Sequence, residues 1–373
     1  MDRTAAEALT NRIFSLGQIG QTVSFEDVCL DVFRFQALHC AVYSEYLRHL
    51  KLNPASVKES SQIPFLPISF FKSHTIVCGD RPAETVFLSS GTGGQARSRH
   101  KVCSLDLYEK SFTLGFRFFY GNPADYVILA LLPSYLSQKD SSLVYMADKL
   151  IQYSNGNSNG NSNRNSNGNS NGNSNGNNNG NSNGNNNGKS TQSGFFLDNT
   201  ADLLCAIKDL EKKGQSYLLL GVSYALLDLA DEFRLGNGPP LKHGIIMETG
   251  GMKGRRKELV REDLHNQLKK NLGLSNIHSE YGMTELLSQA YSKGDGLFSC
   301  PPWMKISLRD RNDPFAPVKP GKTGGINITD LANLYSCSFI ATQDLGKLHS
   351  SGDFELLGRF DNSDLRGCNL LVN

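Results

Sequence analysis

The 373-residue chain carries almost no net charge: 38 Lys and Arg against 36 Asp and Glu leave +2. A protein that grips phosphodiesters needs a strong basic field, so this balance speaks against a nucleic-acid or anionic-membrane binder. The single dense basic cluster, Lys253, Arg255, Arg256 and Lys257, is diluted by Glu258, Glu262 and Asp263 and reads as a solvated helix face. C-x-x-C pairs are missing as well. The eight cysteines (Cys29, Cys40, Cys78, Cys103, Cys205, Cys300, Cys337 and Cys368) fit neither a zinc site nor a disulfide framework. No apolar run reaches the ~18 residues a membrane helix needs. The first residues carry Asp2, Arg3, Glu7 and Arg12, unlike a signal peptide. These absences describe a reduced, soluble, cytoplasmic protein with no membrane span and no nucleic-acid partner.

What remains is a chain with 39% hydrophobic residues, enough for a sizeable core. Apolar residues at helical spacing predict a helix from Phe25 to Leu50, and Asp106 to Tyr120 reads as a second. Glu84 to Leu88 reads as a strand entering a Ser/Gly-rich loop, and Tyr126 to Leu132 as a buried strand. After residue 190 the signals alternate. Asp198 to Lys213, Tyr224 to Arg234 and Arg256 to Leu272 look helical, while Tyr217 to Leu220 and Gly244 to Met247 look like strands. Alternation of this kind predicts an α/β fold with mostly parallel sheet flanked by helices. Ligands of such sheets bind in loops at the carboxyl ends of strands. From Ser154 to about Lys189 the chain is a near-perfect Ser-Asn-Gly-Asn repeat. It has nothing apolar to bury, which predicts a disordered insertion in a surface loop.

Three loops carry candidate chemistry. In Ser89-Ser90-Gly91-Thr92-Gly93-Gly94, followed by Arg97 and Arg99, small residues let backbone N–H groups approach a polyphosphate, and hydroxyls and guanidinium groups add donors. No Gly-Lys-Ser/Thr ends the loop, so it is not a Walker A loop. Glu280-Tyr281-Gly282-Met283-Thr284-Glu285 puts an aromatic face, a hydroxyl and a carboxylate within a few residues, suited to a base, a phosphate and a magnesium ion. Thr342-Gln343-Asp344-Leu345-Gly346, with Arg359 downstream, offers a carboxylate that can accept two ribose hydroxyls. Each loop alone is weak and an ordinary turn explains it.

In this order and spacing the three resemble the core motifs of the adenylate-forming superfamily of acyl-CoA synthetases, luciferase and peptide-synthetase adenylation domains. The chain is most similar to the acyl-protein synthetases of the bacterial bioluminescence fatty-acid reductase complex, and more distantly to phenylacetate-CoA ligase. Further stretches that carry the likeness are Pro64 to Lys72, Leu132 to Met146, Glu248 to Gly254 and Ser363 to Leu371. The resemblance implies an adenylation domain over residues 1–360, the Asn-rich insertion 154–189 within it, and a short mobile tail 361–373. It implies ATP and Mg2+ as cofactors and a carboxylic acid, of the fatty class, as substrate. Ser89 to Gly94 and Arg97 would hold the phosphates. Gly250, Gly251 and Met252 would form a shelf on one face of the adenine, with Tyr281 and Gly282 on the other. Thr284 would meet the α-phosphate, Glu285 would hold the metal, and Asp344 with Arg359 would bind the ribose. Gly93 replaces a usual Thr, Arg97 a usual Lys, and Gln343 a usual Gly. The sequence ends at Asn373, short of the mobile lid domain of the CoA synthetases, and Arg366-Gly367-Cys368 stands there instead. By the same likeness Cys368 would take the acyl group as a thioester and pass it to a partner such as an acyl reductase.

Other readings stand beside this one. Gly221-Val222-Ser223-Tyr224-Ala225 lies one residue short of a G-x-S-x-G nucleophile elbow, which would make Ser223 the nucleophile of an acyl hydrolase or acyltransferase. CoA or a carrier-protein thiol is an alternative acceptor, and an inactive adenylate-binding protein is a third reading. His100 reads as a structural hydrogen-bonder. The seven cysteines other than Cys368 read as small buried hydrophobes.

Overall fold

The computed structural model describes residues 3–18, 20, 22–90, 96–133, 140–156, 192–196, 199–250 and 259–360. The chain opens with helices α1 (Arg3–Ser15), α2 (Phe25–His39) and α3 (Ala41–His49). The helix expected from Phe25 to Leu50 is thus two. Cys40 breaks it with an extended backbone (φ −94°, ψ 102°) and pairs with Cys78 in an isolated antiparallel bridge. Cys40 does not disturb the apolar spacing, so only this tertiary contact marks the break. Ser24 caps α2 by accepting from the Glu26 N–H. The buried Gln36 accepts from the Ser338 N–H (2.9 Å) and reaches the Asn333 and Leu334 carbonyls, tying α2 to a loop near the other end of the chain.

Then follow β1 (Leu66–Pro67), α4 (Phe70–Ser73), the hairpin β2 (Thr85–Leu88) and β3 (Arg99–Val102), α5 (Leu105–Tyr120), β4 (Val127–Leu131) and α6 (Ser142–Ser154). The alternating segment supplies β5 (Gly194–Phe196), α7 (Thr200–Lys213), β6 (Tyr217–Val222), α8 (Ser223–Leu235), β7 (Gly244–Thr249), α9 (Arg261–Leu272) and β8 (His278–Tyr281). The last part is all strand: β9 (Ala290–Ser292), β10 (Leu297–Ser299), β11 (Met304–Arg309), β12 (Thr323–Asp330), β13 (Phe339–Leu348) and β14 (Phe354–Arg359).

One twelve-stranded sheet runs in the order β5-β4-β6-β7-β8-β9-β10-β14-β13-β12-β11, with β1 joining β13. From β5 to β8 neighbours are parallel, and from β8 to β11 they are antiparallel. The expected parallel α/β architecture therefore fills one half of a mixed sheet. The parallel strands β4 and β6 are buried at every residue, as strands covered by helices on both faces must be. Strand β11 instead alternates buried and exposed residues, the mark of a strand with one wet face.

The junction of the Asn-rich insertion is visible at both ends. Ser154, expected to begin the tract, closes α6 instead. Its hydroxyl lies 2.6 Å from that of Ser193, and Asn155 and Ser193 exchange two hydrogen bonds of 3.2 Å. Residues 157–191 lie outside the described residues. Among the described residues no helix is long and apolar enough to cross a membrane. Their seven cysteines are all free, but not all are buried: Cys205 is exposed on α7 and Cys300 half-buried, which corrects the expectation of seven buried thiols.

Candidate functional site

The first motif leaves the β2–β3 hairpin, whose last pair is Leu88 and Arg99. Ser89 and Ser98 close the neck of the loop. The Ser89 N–H donates to the Ser98 carbonyl (3.1 Å), and the Ser98 N–H donates to Ser89 Oγ (2.9 Å). Arg97 folds back so that its Nε donates to the Ser89 carbonyl. Ser89 and Arg97 are thus held at the neck, while Ser90 is exposed at the start of the loop. Gly91, Thr92, Gly93 and Gly94 lie outside the described residues.

The second motif begins on β8 and continues into a turn fixed from three sides. His100 Nδ1 donates to the Thr284 carbonyl (2.8 Å), and Asn333 Nδ2 donates to the Glu285 carbonyl (2.6 Å). Asp330, fully buried, accepts from the Leu287 N–H (2.8 Å), the Ser288 N–H (3.0 Å), the Ser288 hydroxyl and the Ala332 N–H (3.2 Å). The Trp303 indole N–H reaches Ser288 Oγ at 3.0 Å. At about 1 kcal/mol net for each such bond, these contacts fix the Thr284–Ser288 backbone by several kcal/mol. They use main-chain atoms of Thr284 and Glu285 and leave both side chains for other work. His100 must carry its proton on Nδ1 to donate to a carbonyl. Burial pushes its pKa down to about 4, so it is neutral there. Burial raises the Glu285 carboxyl, and the Ser98 hydroxyl lowers it in part. A buried carboxylate without a full counter-charge is a place where a cation is favoured.

The third motif meets the second at Asp344. Its Oδ2 accepts from the Tyr281 hydroxyl (2.8 Å) and its Oδ1 from Arg359 Nε (3.1 Å), with Arg359 directly opposite on β14. Three strands, β9, β10 and β14, lie between β8 and β13 in the sheet order. At ~4.8 Å per strand a flat sheet would separate the two by roughly 19 Å. The hydrogen bond shows that the sheet curls over, and the curl brings two motifs some sixty residues apart into contact. Tyr281 packs edge-on against the stacked pair Phe298 and Phe354, with ring centroids 6.0 and 5.7 Å away. Burial, then the Asp344 charge, holds its hydroxyl protonated and donating. Below Asp344, Arg309 Nη1 donates to Asn327 Oδ1 (2.7 Å) and the Ile326 carbonyl (2.8 Å), fixing β12 to β11 under the site.

Gly250 follows β7 with φ +71°, a backbone conformation a side chain would strain. Gly251 and Met252 lie outside the described residues, as does Cys368. Beneath Gly250 sits a buried polar network. Glu248 accepts from Arg261 Nε (3.3 Å) and lies 3.7 Å from His265 Nε2, which is itself 3.3 Å from Ser279 Oγ. Burial alone would raise the Glu248 carboxyl, but the His265 hydrogen bond and the Arg261 charge bring it below its usual value. Ser223 belongs to this network. It is 2% exposed, and its hydroxyl lies 3.1 Å from Glu248 Oε2 and 3.2 Å from the Gly250 carbonyl. Ser223 therefore faces a carboxylate, not an imidazole base, and the nucleophile-elbow reading finds no support.

The structure thus gathers Ser98, His100, Gly250, Tyr281, Gly282, Thr284, Glu285, Asp344 and Arg359 around the carboxyl ends of β7 and β8. Sequence reasoning did not single out Asp330, Asn333, Trp303 or Arg309, none of which lies in a recognisable motif, and gave no role to Ser98, which stands in the first motif between Arg97 and Arg99. Among the described residues no group of three or more His, Cys, Asp or Glu could hold a metal ion alone. A metal at Glu285 would need most of its ligands from a bound polyphosphate and water, which is the usual habit of magnesium.

No protein-family model matches the chain, and no curated protein matches it in sequence. Solved structures do. 2-Hydroxyisobutyryl-CoA ligase with 2-HIB-AMP and CoA, in the thioesterification state, superposes with a TM-score of 0.61 at 13% identity, over 97% of this chain and 69% of that one. The same ligase with 2-HIB-AMP, in the postadenylation state, gives 0.60 at 12% identity, over 96% and 68%. ATP-bound MatB from Rhodopseudomonas palustris gives 0.49 at 16% identity, over 74% of this chain and 47% of that one. The chain spans about half the length of MatB. The chain therefore shares the α/β fold of 2-hydroxyisobutyryl-CoA ligase, with a large mixed sheet flanked by helices.

Proposed function

We propose that this protein activates a carboxylic acid with ATP. The carboxylate oxygen attacks the α-phosphorus, the bond to pyrophosphate breaks, and an acyl-adenylate results. The observation that carries the reading is the meeting of Tyr281, Asp344 and Arg359 beside the braced Thr284–Glu285 turn, on a fold whose solved relative holds an acyl-adenylate. Asp344 keeps lone pairs beyond those used by Tyr281 and Arg359, so it can accept ribose hydroxyls. Gly250 and Tyr281 would flank the base, with Gly251 and Gly282 beside them. The Ser89–Gly94 loop and Arg97 would hold the outgoing phosphates. Thr284, placed by His100 through its carbonyl, would donate to the α-phosphoryl oxygen, where charge develops in the transition state. Magnesium held by Glu285 would neutralise part of that charge when bound.

The acyl group then passes to a thiol. Cys368 is our first choice: its thiolate attacks the acyl carbon, the bond to AMP breaks, and a thioester remains for delivery to a partner such as an acyl reductase. The 2-hydroxyisobutyryl-CoA ligase structures include CoA, which makes CoA the competing acceptor. Incubation with Mg-ATP and a panel of fatty and aromatic acids, followed by intact-mass measurement, separates these readings. A mass gain of one acyl group, labile to hydroxylamine and absent in Cys368→Ser, supports self-acylation. Pyrophosphate release with free acyl-CoA and no adduct moves the acceptor to CoA. Absence of pyrophosphate release with every acid refutes the adenylation reading.

A further inference from the structure

Glu280 and Gln289 have no part in the chemistry above, yet both are buried beside it. The register of β8 with β9 pairs Glu280 with Tyr291 and Tyr281 with Ala290, which sets Gly282 opposite Gln289. Side chains alternate along a strand, so Tyr281 points toward Asp344 while Glu280, Gly282 and Gln289 share the other face. A Cβ on Gly282 would lie 2.4 Å from Glu280 Oε1 and 3.3 Å from Gln289 Cγ, so the two side chains converge on the bare glycine. Thr249, opposite Glu280 on β7, donates its hydroxyl to Glu280 Oε2. Gln289 is 5% exposed, and its Oε1 has no hydrogen-bond partner. An unpaired buried amide oxygen costs roughly 1–3 kcal/mol, which a bound donor would recover.

The position of this oxygen limits what the donor can be. Gly282 and Thr284 are only half-buried, so solvent reaches the backbone beside this enclosed oxygen. A nucleotide flanked by Tyr281 and reacting at Thr284 has its base on the Tyr281 face. The acyl part, joined at the α-phosphate, is then directed to the opposite face, where Gln289 and Glu280 stand. We propose that this pair reads a hydroxyl on the acid, so that the enzyme activates hydroxylated acids in preference to plain ones. The inference rests on the adenylation reading. The hydroxyl donates to Gln289 Oε1 and shares a second hydrogen bond with Glu280 Oε1, which is turned to the same glycine.

The test is ATP–pyrophosphate exchange with matched acids of equal length, such as hexanoic and decanoic acids beside their 2-, 3- and terminal-hydroxy forms. A site built around a substrate hydroxyl discriminates strongly against the analogue that lacks it. At least one hydroxy acid is expected to exceed its plain partner by tenfold or more in kcat/KM. In Gln289→Leu that ratio is expected to fall toward one. Plain acids activated as well as every hydroxylated partner by the unmodified protein would overturn the proposal, and that comparison needs no variant to fold. Retention of the full preference in Gln289→Leu would overturn it too. Exchange with no acid of either series is a different failure, because it removes the adenylation reading itself.

Discussion

Glu280 also makes a stability prediction that is independent of any substrate. Its carboxyl has a pKa near 7 in the folded chain against 4.5 in an ordinary setting, chiefly because burial penalises the charge; Thr249 lowers it and Glu248 raises it further. The sign follows from proton counting. Below pH 4.5 the carboxyl is protonated in both folded and unfolded chains and has no effect on stability. As pH rises from 4.5 to 7, the unfolded chain releases this proton while the folded chain keeps it, so stability falls. At ~1.4 kcal/mol per pH unit the full loss is about 3 kcal/mol, of which about 2.5 kcal/mol falls between pH 5 and pH 8. Glu280→Gln keeps the shape and an acceptor for Thr249 but cannot ionise. Urea unfolding at pH 5 and pH 8 should therefore show the variant gaining about 2.5 kcal/mol on the wild type between those two values. A difference that stays constant within about 0.5 kcal/mol across that range would refute the claim that Glu280 is buried and held protonated.

Further predictions follow from other parts of the site. Asp330→Ala leaves several buried donors without an acceptor and should cost about 3–5 kcal/mol in chemical denaturation; a loss below about 1 kcal/mol would mean the brace is unimportant. His100 and His278 both have pKa values that burial depresses to about 4, against 6.5. Their contribution is full above pH 6.5 and lost as pH falls through 4. His100→Gln should therefore show a weaker drop in urea midpoint between pH 7 and pH 4.5 than the wild type. Ser223→Ala should retain ATP–pyrophosphate exchange within about threefold while losing about 1 kcal/mol of stability. A total loss of exchange with the fold intact would revive a direct role for that hydroxyl. Replacing residues 157–191 with about four Gly and Ser residues should stabilise the protein by up to about 2 kcal/mol through loop closure alone, as thermal and urea unfolding can show.

The parallel half of the sheet was readable because β4 and β6 are apolar at nearly every position and alternate with amphipathic helices. The antiparallel half was not. Strands such as Ala290–Ser292 and Leu297–Ser299 are three residues long, and partner strands define them more than their own pattern does. The same division holds in the site. Tyr281, Thr284, Glu285, Asp344 and Arg359 stand in short motifs that likeness can find. Asp330 and Asn333 act mainly through backbone atoms of residues 285–288, more than forty residues away, and Trp303 through the Ser288 hydroxyl. Nothing local marks a carboxylate as the acceptor of a distant turn. His100 was legible as a structural hydrogen-bonder, although its partner, the Thr284 carbonyl, was not. The curl that joins Tyr281 to Asp344 depends on the twist and packing of four successive strand pairs, which no window of sequence contains.

Ser154, Asn155 and Ser193 hold the two ends of the Asn-rich insertion side by side. The fold closes this gap by itself, so whatever number of repeats lies between is nearly silent energetically: doubling it costs only about 0.6 kcal/mol. Repetitive coding sequence gains and loses units readily during replication, and here such drift meets almost no resistance from the folded state. The length of the tract can thus change between closely related chains while the sheet keeps its shape. The same latch makes this junction the natural place to graft a tag or a reporter domain without disturbing the rest of the molecule.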